Sequence, residues 1–272
     1  MSQTYNHFNV TFPAPYVAHV EINRPEKLNA FYQDMWLEYA QVFNTLSHSP
    51  DVRCIILSGA GPTFTVGLDM KKGSLTFPGS DGARKAWEIK RRLTEFQDCI
   101  SASEKCEKPV ICVLHGFCLG LAIDMACTTD IRISSADAKL SVKEVDIGLA
   151  ADIGTLSRLP KIVGSLSWVK DVTLSARIFS AEEALRVGFV SAVESDKDAA
   201  VKKALEMASL IAAKSPVAVQ STKAIVNWSV DRTVADGLAY TKAWNSAALQ
   251  TGDIGEAVGA TLGKRKARFE KL

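Results

Sequence analysis

The sequence lacks most of the short motifs that identify a catalytic mechanism. It contains no GxxxxGK[ST] phosphate loop, no GxSxG nucleophile turn, no HExxH metal motif and no CxxC pair. Histidine is also scarce, with four residues at positions 7, 19, 48 and 115, and only His115 lies in a turn suited to a site. Catalysis by a nucleophile with a histidine base therefore has little support.

An excess of charge of one sign and long apolar runs are also missing. The 272 residues include 32 Lys plus Arg and 30 Asp plus Glu, which give a net charge of +2. This balance provides no electrostatic reason to expect nucleic acid or membrane insertion as the main interaction. No apolar run approaches the roughly 20 residues of a bilayer span. With 47% hydrophobic residues, the composition is that of a globular chain whose core can exclude water from a site.

The two ends of the sequence bear on the cellular compartment. The first ten residues are polar and lack a signal-peptide core and an Arg-rich amphipathic helix, which disfavours secretion and a cleaved mitochondrial presequence. The last three residues, Glu270-Lys271-Leu272, resemble a peroxisomal S-K-L tail with a different first residue. An ordinary charged terminus explains the tripeptide better on its own. We expect a peroxisomal protein, with mitochondrial matrix or cytoplasm as alternatives.

Six cysteines, at positions 54, 99, 106, 112, 118 and 127, show no disulfide framework. Cys112, His115 and Cys118 suggest a zinc site at first sight. They lie in the apolar stretch Val110–Leu121, however, and no fourth ligand follows at a known spacing. The sequence therefore predicts buried free thiols and no metal site.

Strand and helix patterns alternate in the first half of the chain. Phe8–Phe12 and Tyr16–Ile22 alternate apolar and polar residues around a proline turn, which predicts a hairpin. Val52–Ser58 and Val110–Leu114 are short apolar runs typical of buried strands, and helical spacing occurs between these strands. Residues 72–82, rich in Gly and Ser, are expected to form a mobile loop. This alternation predicts a layered α/β core.

The last third of the chain is mainly helical from Ser180 onward. We divide the chain into a core of residues 1–200 and a C-terminal helical region of residues 201–272. The helical region could pack on the core or on a neighbouring subunit, and periodicity alone does not distinguish these arrangements.

Glycine turns provide candidate backbone donors for an oxyanion. Gly116–Gly120 precedes a helix whose first turn holds Asp124, and amides at a helix N-terminus point outward toward negative charge. Phe64–Gly67 forms a second candidate donor turn. Two separated amide donors are what the enolate oxygen of a thioester requires.

Carboxylates in the apolar segment Val142–Gly154 are candidate acids and bases. Apolar surroundings raise the pKa of a carboxyl group toward the range useful for proton transfer. Glu144 and Asp152 both lie in this segment. For Asp152, a helix cap just before Thr155 is an equally good interpretation.

These residues resemble the crotonase (enoyl-CoA hydratase/isomerase) superfamily. Within it, Lys143–Gly154 is most similar to the Δ3,5-Δ2,4-dienoyl-CoA isomerases, because Asp152 stands where hydratases usually have glycine. The motifs that carry the resemblance span nearly the whole chain: Arg24–Ala30, Phe64–Asp69, His115–Gly120, Asp124, Asp130–Arg132, Lys143–Gly154, Arg158–Pro160 and Ser180–Ala184.

The resemblance implies an α/β fold, a crotonase-like spiral of ββα units, with a C-terminal helical region that forms trimers, often paired into hexamers. It implies acyl-CoA thioester substrates and a place in fatty-acid β-oxidation. Coenzyme A is part of the substrate, so no redox or metal cofactor is implied. The implied reaction converts a 3,5-dienoyl-CoA into a 2,4-dienoyl-CoA through a dienolate.

The resemblance also implies roles for individual residues. Asp152 would remove a C2 proton, Glu144 would protonate C6, and Asp124 would hold the polar pocket together. The oxyanion would be bound by the amides of Val66 and Leu121. The coenzyme A moiety would run past Lys27, Leu28, Ala30, Gly67, Leu68, Asp69 and Met70, with Lys71 near the phosphates.

The chain departs from the family pattern at Leu121 and Ala122, where the family usually has glycines. We expect the side chain of Leu121, where the thioester would pass, to affect acyl-chain choice, while the backbone amide persists. Two alternatives remain open. One is an enoyl-CoA hydratase or Δ3-Δ2 isomerase that uses Asp124 and Glu144, and the other is a non-catalytic scaffold that binds acyl-CoA.

Overall fold

The computed structural model describes residues 4–72 and 78–272, so residues 73–77 of the predicted mobile loop lie outside the described residues. The strands are β1 Phe8–Ala14, β2 Val17–Ile22, β3 Cys54–Gly59, β4 Val110–Leu114, β5 Phe117–Leu119, β6 Ile131–Ser135, β7 Lys139–Ser141, β8 Phe179–Ser180 and β9 Ala192–Glu194. The α-helices are α1 Gln33–Ser47, α2 Gly82–Ile100, α3 Ala102–Lys105, α4 Leu121–Cys127, α5 Thr155–Ile162, α6 Leu166–Ser175, α7 Ala181–Arg186, α8 Lys197–Ala212, α9 Pro216–Ser229, α10 Val234–Ala248 and α11 Asp253–Leu262. Short 3-10 turns span Pro25–Lys27 and Glu144–Ile147.

A six-stranded sheet in the order β1-β2-β3-β4-β6-β9 forms the centre of the fold. The predicted hairpin is confirmed, since β1 pairs antiparallel with β2, and all other neighbours in this sheet are parallel. Every residue of β3 and β4 is buried, which explains why these strands are continuous apolar runs rather than alternating patterns.

Helix α8 covers one face of the sheet with a row of small side chains. Ala200, Ala204, Ala208 and Ala212 are buried at intervals of four, so they lie on one helix face against Ile56, Ile111 and Ile133. The boundary predicted between residues 200 and 201 falls inside α8, a helix that belongs to the core. The C-terminal helices that extend away from the sheet begin with α9.

The opposite face carries the larger apolar core, and α1 and α2 close it. Trp36 of α1 stacks on Phe96 of α2 with ring centroids 4.0 Å apart. Tyr39 and Phe43, one and two turns further along α1, are fully buried in the same cluster. Cys54, Cys99, Cys106, Cys112, Cys118 and Cys127 are all buried free thiols, as the sequence predicts.

A second sheet of three strands, in the order β5-β7-β8, lies beside the first. Thr65 forms an isolated parallel bridge with Cys118 of β5, which joins this sheet to the turn after β3. The fold therefore brings together the two glycine turns that the sequence identifies.

The C-terminal helices are fixed to the core by a buried ion pair. Lys223 Nζ of α9 lies 2.8 Å from Asp130 Oδ2 and donates to the carbonyl oxygens of Ser103 and Lys108. Beyond this contact the helices expose many large apolar side chains: Val226, Trp228, Val234, Leu238, Leu249, Ile254, Val258 and Leu262. In the described part of the chain, no helix has the length and apolar character to cross a membrane.

Candidate active site

Two turns meet at the edge between the sheets, and a glycine allows their close approach. Gly67 has a φ of +93°, and a Cβ atom added to it would lie 3.0 Å from Leu119 O and 3.6 Å from Leu121 N. A side chain at position 67 would therefore be strained and crowded. The absence of one lets the segment after β3 pass directly beside the start of α4.

The amide of Leu121 is a free donor at this junction. Leu121 is the first residue of α4, and Gly120 before it donates its amide to Ser141 O at 2.9 Å. The first amides of a helix have no partner within the helix. Among residues 4–72 and 78–272, no acceptor for the Leu121 amide is present.

The predicted donor role of the Val66 amide is wrong. This N–H donates to Leu28 O at 3.2 Å, so it is occupied within the fold. The residue that sequence reasoning missed is Leu68. Phe31 pairs with the segment through Gly67 O at 2.8 Å and Asp69 N at 2.8 Å, so the intervening Leu68 N–H faces the other side and has no acceptor in the described residues. No local pattern distinguishes these two amides, because residues two apart share a side of an extended segment; the partners Leu28 and Phe31 decide which amide is occupied.

Asp124 is the most buried of the three predicted carboxylates, with 1% of its surface exposed. Its Oδ1 accepts two hydrogen bonds from Thr155, one from the amide and one from the hydroxyl, both at 2.7 Å. Burial raises the pKa of Asp124 to about 7, and the neighbouring charge of Glu144 adds to this. The hydrogen bonds from Thr155 act in the opposite direction because they favour the ionised form.

Glu144 lies at the start of the second 3-10 turn with one oxygen against Gly120. A Cβ atom on Gly120 would lie 3.2 Å from Glu144 Oε1. The other oxygen, Oε2, is buried and has no hydrogen-bond partner among the described residues. Burial raises the pKa of Glu144, and the charge of Asp152 raises it further. A buried, unpartnered carboxyl oxygen is costly in the ionised state, so this site favours a protonated Glu144.

Asp152 is the exposed member of the group. Its backbone oxygen accepts a hydrogen bond from Gln97 Nε2 of α2 at 2.5 Å, and partial burial raises the pKa of its carboxyl group. The helix-cap interpretation is wrong, because Gly154 is the N-cap of α5 and α5 has no side-chain cap. Asp152 also borders a cleft of about 1150 Å³ between α2, α5 and α9.

The structure thus brings together the three acidic residues that the sequence identifies. Asp124 is influenced electrostatically by both Glu144 and Asp152, and Glu144 by Asp152. Asp146, in the same segment, instead pairs with Lys143 at 2.7 Å. Three coupled carboxyl groups near free amides can move protons at separate positions of one substrate.

The predicted coenzyme A residues lie on and around the Gly67 turn. Lys27, Leu28, Leu68, Met70 and Lys71 are exposed, while Ala30 and Gly67 are buried. Their contact with a ligand stays a prediction.

The carboxylate of Asp69 has a structural task within this turn. It pairs with Arg24 at 2.8 Å and accepts the amides of Lys71 and Lys72. These contacts fix the turn that carries the Leu68 amide.

The side chain of Leu121 packs in the apolar core with 3% of its surface exposed, and Ala122 is fully buried. Leu121 therefore presents its backbone amide to the site while its side chain points into the core.

Comparisons with known proteins agree with this arrangement. Residues 14–271 match the family model described as enoyl-CoA hydratase/isomerase. The human mitochondrial Δ(3,5)-Δ(2,4)-dienoyl-CoA isomerase is 42% identical over 275 residues, covering 99% of this chain and 84% of that protein. The Arabidopsis thaliana peroxisomal protein of the same name is 42% identical over 260 residues, covering 94% and 93%. The peroxisome and the mitochondrion, which the sequence analysis considers, thus both occur in the names of these relatives.

A solved structure supports the fold. An enoyl-CoA hydratase from Bacillus anthracis superposes with a TM-score of 0.89 at 24% identity, and the match covers 97% of this chain and 99% of that one. The expected crotonase-type α/β fold with C-terminal helices is therefore confirmed. On the family match and the extent of the identity to these relatives, the chain belongs to the enoyl-CoA hydratase/isomerase family.

Proposed function

We propose that this chain is an isomerase that converts a 3,5-dienoyl-CoA into a 2,4-dienoyl-CoA during fatty-acid β-oxidation. The observation that carries the proposal is the third carboxylate: Asp152 joins Asp124 and Glu144 in one electrostatically coupled group. Relatives named for this reaction, at about 42% identity over nearly the whole chain, support it.

The two free amides provide the binding site for the thioester oxygen. Loss of a C2 proton places negative charge on that oxygen, and the amides of Leu68 and Leu121 would donate to it. Each such donor typically contributes about 3 kcal/mol to transition-state stabilisation. Both donors belong to backbone fixed by pairing, so they need no rearrangement when the charge develops.

The proton shift uses two carboxyl groups in opposite states. Asp152 takes the C2 proton, and the electrons of the broken C–H bond extend the conjugation to the thioester oxygen. Glu144 then gives a proton to C6, and the double bonds move from positions 3 and 5 to positions 2 and 4. The buried, unpartnered Oε2 of Glu144 suits the protonated donor, and the exposed Asp152 suits the ionised base. This chemistry requires no redox or metal cofactor, because one proton leaves C2, one is added at C6 and nothing is oxidised or reduced; coenzyme A is part of the substrate.

Purified protein offered a 3,5-dienoyl-CoA tests the proposal by growth of the conjugated-diene absorbance. Asp152→Asn should reduce kcat by at least ~10²-fold, because the amide cannot accept the C2 proton. Asp146→Asn is the matched control, since Asp146 lies in the same segment but pairs with Lys143. Full isomerase activity in Asp152→Asn would refute the assignment.

A second substrate, a 2-enoyl-CoA, separates the alternatives. Hydration without diene isomerisation would indicate a hydratase that uses Asp124 and Glu144. Tight acyl-CoA binding without turnover of either substrate would indicate a non-catalytic scaffold. Charge reversal at Lys27 and Lys71 should weaken binding of coenzyme A if these exposed residues approach its phosphates.

We also propose that the exposed apolar face of α9, α10 and α11 is covered by other copies of the chain in a trimer or hexamer. Val234, Leu238 and Leu262 are each at least 64% exposed. Monomeric proteins rarely expose large contiguous apolar patches, so these side chains indicate an interface. Light scattering on the purified protein tests this, and a monodisperse monomer would contradict it. A peroxisomal location remains part of the proposal, to be tested by imaging a fusion that leaves the C-terminal tripeptide free.

A further inference from the structure

We propose that Thr155 is a positioning residue of the site, which orients Asp124 through two donors on one oxygen and favours the ionised form of this carboxyl group. The inference rests on the proposed isomerase function for its kinetic consequence. Its structural basis is independent of that function.

The geometry of Thr155 is specific to one oxygen. Both of its donors, the amide and the hydroxyl, lie 2.7 Å from Asp124 Oδ1, and Thr155 itself is fully buried. Neither donor competes with solvent. Hydrogen bonds from two fixed, dry donors to one oxygen favour the ionised carboxylate, as charge-assisted bonds do.

The position of Thr155 is secured by contacts between α5 and α3. Arg158, one turn later, donates to both oxygens of Glu104 and to Ser101 Oγ at 2.9 Å. Its guanidinium also covers Gly154, the N-cap of the helix. These contacts attach α5 to α3, so the two donors of Thr155 keep a fixed position. Asp124 must therefore keep its orientation to retain both hydrogen bonds.

Among the groups around Asp124, the Thr155 hydroxyl favours ionisation of Asp124 and can be removed by a single substitution. Glu144 and Asp152 both oppose ionisation of Asp124, and the thiol of Cys127 lies on the same helix. The charge of Arg158 interacts with Asp124, and the Arg158 guanidinium also pairs with Glu104. Without the Thr155 hydroxyl, Asp124 would stay protonated to a higher pH. Its negative charge beside Glu144 would be lost over that range, and Glu144 would release the proton that C6 needs more readily.

The test compares Thr155→Val with Thr155→Ser in the full-length protein. Thr155→Val keeps the shape and the amide but loses the hydroxyl, so the acid limb of kcat should move up by about one pH unit. At pH 7 kcat should fall roughly 5- to 10-fold, with KM nearly unchanged. Thr155→Ser should restore the parent profile. Ser157→Ala, which removes an exposed hydroxyl from the same helix, is the control.

A substrate-free measurement separates this inference from the proposed function. The infrared carboxyl band that disappears in Asp124→Asn reports protonation of Asp124, and its midpoint should lie higher in Thr155→Val than in the parent. That result supports the role of Thr155 even if the parent protein isomerises no dienoyl-CoA. An unchanged midpoint, or Thr155→Ser as impaired as Thr155→Val, would overturn the inference.

Discussion

The buried carboxyl group of Asp124 should make this protein less stable as pH rises. One substitution should remove this part of the pH dependence. Its pKa is about 7 in the folded chain against an ordinary value of 3.8. Between these two values the folded state binds more protons than the unfolded state, so stability falls as pH rises. The separation is about three pH units at 1.36 kcal/mol each, so Asp124 alone costs about 4 kcal/mol above pH 7.

Asp124→Asn should remove most of this penalty. An asparagine has nearly the same shape, its Oδ1 can accept both Thr155 donors, and it carries no charge at any pH. Denaturant unfolding at pH 5 and pH 8.5 would measure the effect. We expect the parent to lose stability between these pH values and Asp124→Asn to lose about 3 kcal/mol less, because only the two pH units between 5 and 7 contribute, at about 1.36 kcal/mol each. Glu206→Gln, which changes an exposed carboxyl group on α8, should leave the parental difference unchanged.

A parental pH dependence retained in Asp124→Asn would refute this reasoning, because the burial cost would then belong to other groups. A variant that is more stable at pH 8.5 but catalytically impaired would support it. That outcome would identify Asp124 as a group whose ionisation serves the reaction at the expense of folding.

Three further predictions concern the surroundings of the site. Lys223→Met should lower the free energy of unfolding by about 2–3 kcal/mol, because the largely buried Asp130 loses its ion pair and keeps only the Val110 amide as a donor; denaturant titration measures this. Gly67→Ala should reduce kcat far more than it changes KM, because the added Cβ would press on Leu119 O and separate the amides of Leu68 and Leu121. Steady-state kinetics measures both parameters. Leu121→Ala should cost about 2–4 kcal/mol of stability, measured by thermal or denaturant unfolding, while the amide remains in place.

The elements predicted best are those whose sequence pattern follows from burial alone. Val110–Leu114 was predicted as a strand with the bounds that β4 has, because a strand covered on both faces must be apolar throughout. The β1–β2 hairpin follows equally from its alternation. The helix α6 was not anticipated, since its exposed Leu166 and Leu174 blur the helical periodicity.

The site was predictable at the level of side chains and less so at the level of backbone. Glu144 and Asp152 are identified as carboxyl groups within an apolar segment, and Asp124 by its place after a glycine turn and by the family resemblance. The choice between Val66 and Leu68 depends on which amide the contacts with Leu28 and Phe31 leave free, and only the folded structure shows that. The contact of Thr155 with Asp124 joins residues 31 positions apart, and no local pattern encodes it.

The arrangement of charge explains why these carboxyl groups keep raised pKa values although an arginine lies close by. Arg158 directs its guanidinium hydrogen bonds to Glu104 and Ser101, and none of them reaches Asp124 in the described part of the chain. A direct ion pair with Asp124 would stabilise the carboxylate and lower its pKa by one to three pH units. Neutral Thr155 instead supplies directional donors without a full charge. The site thereby orients Asp124 and keeps its pKa near neutrality, where a proton can pass between the acids at low cost.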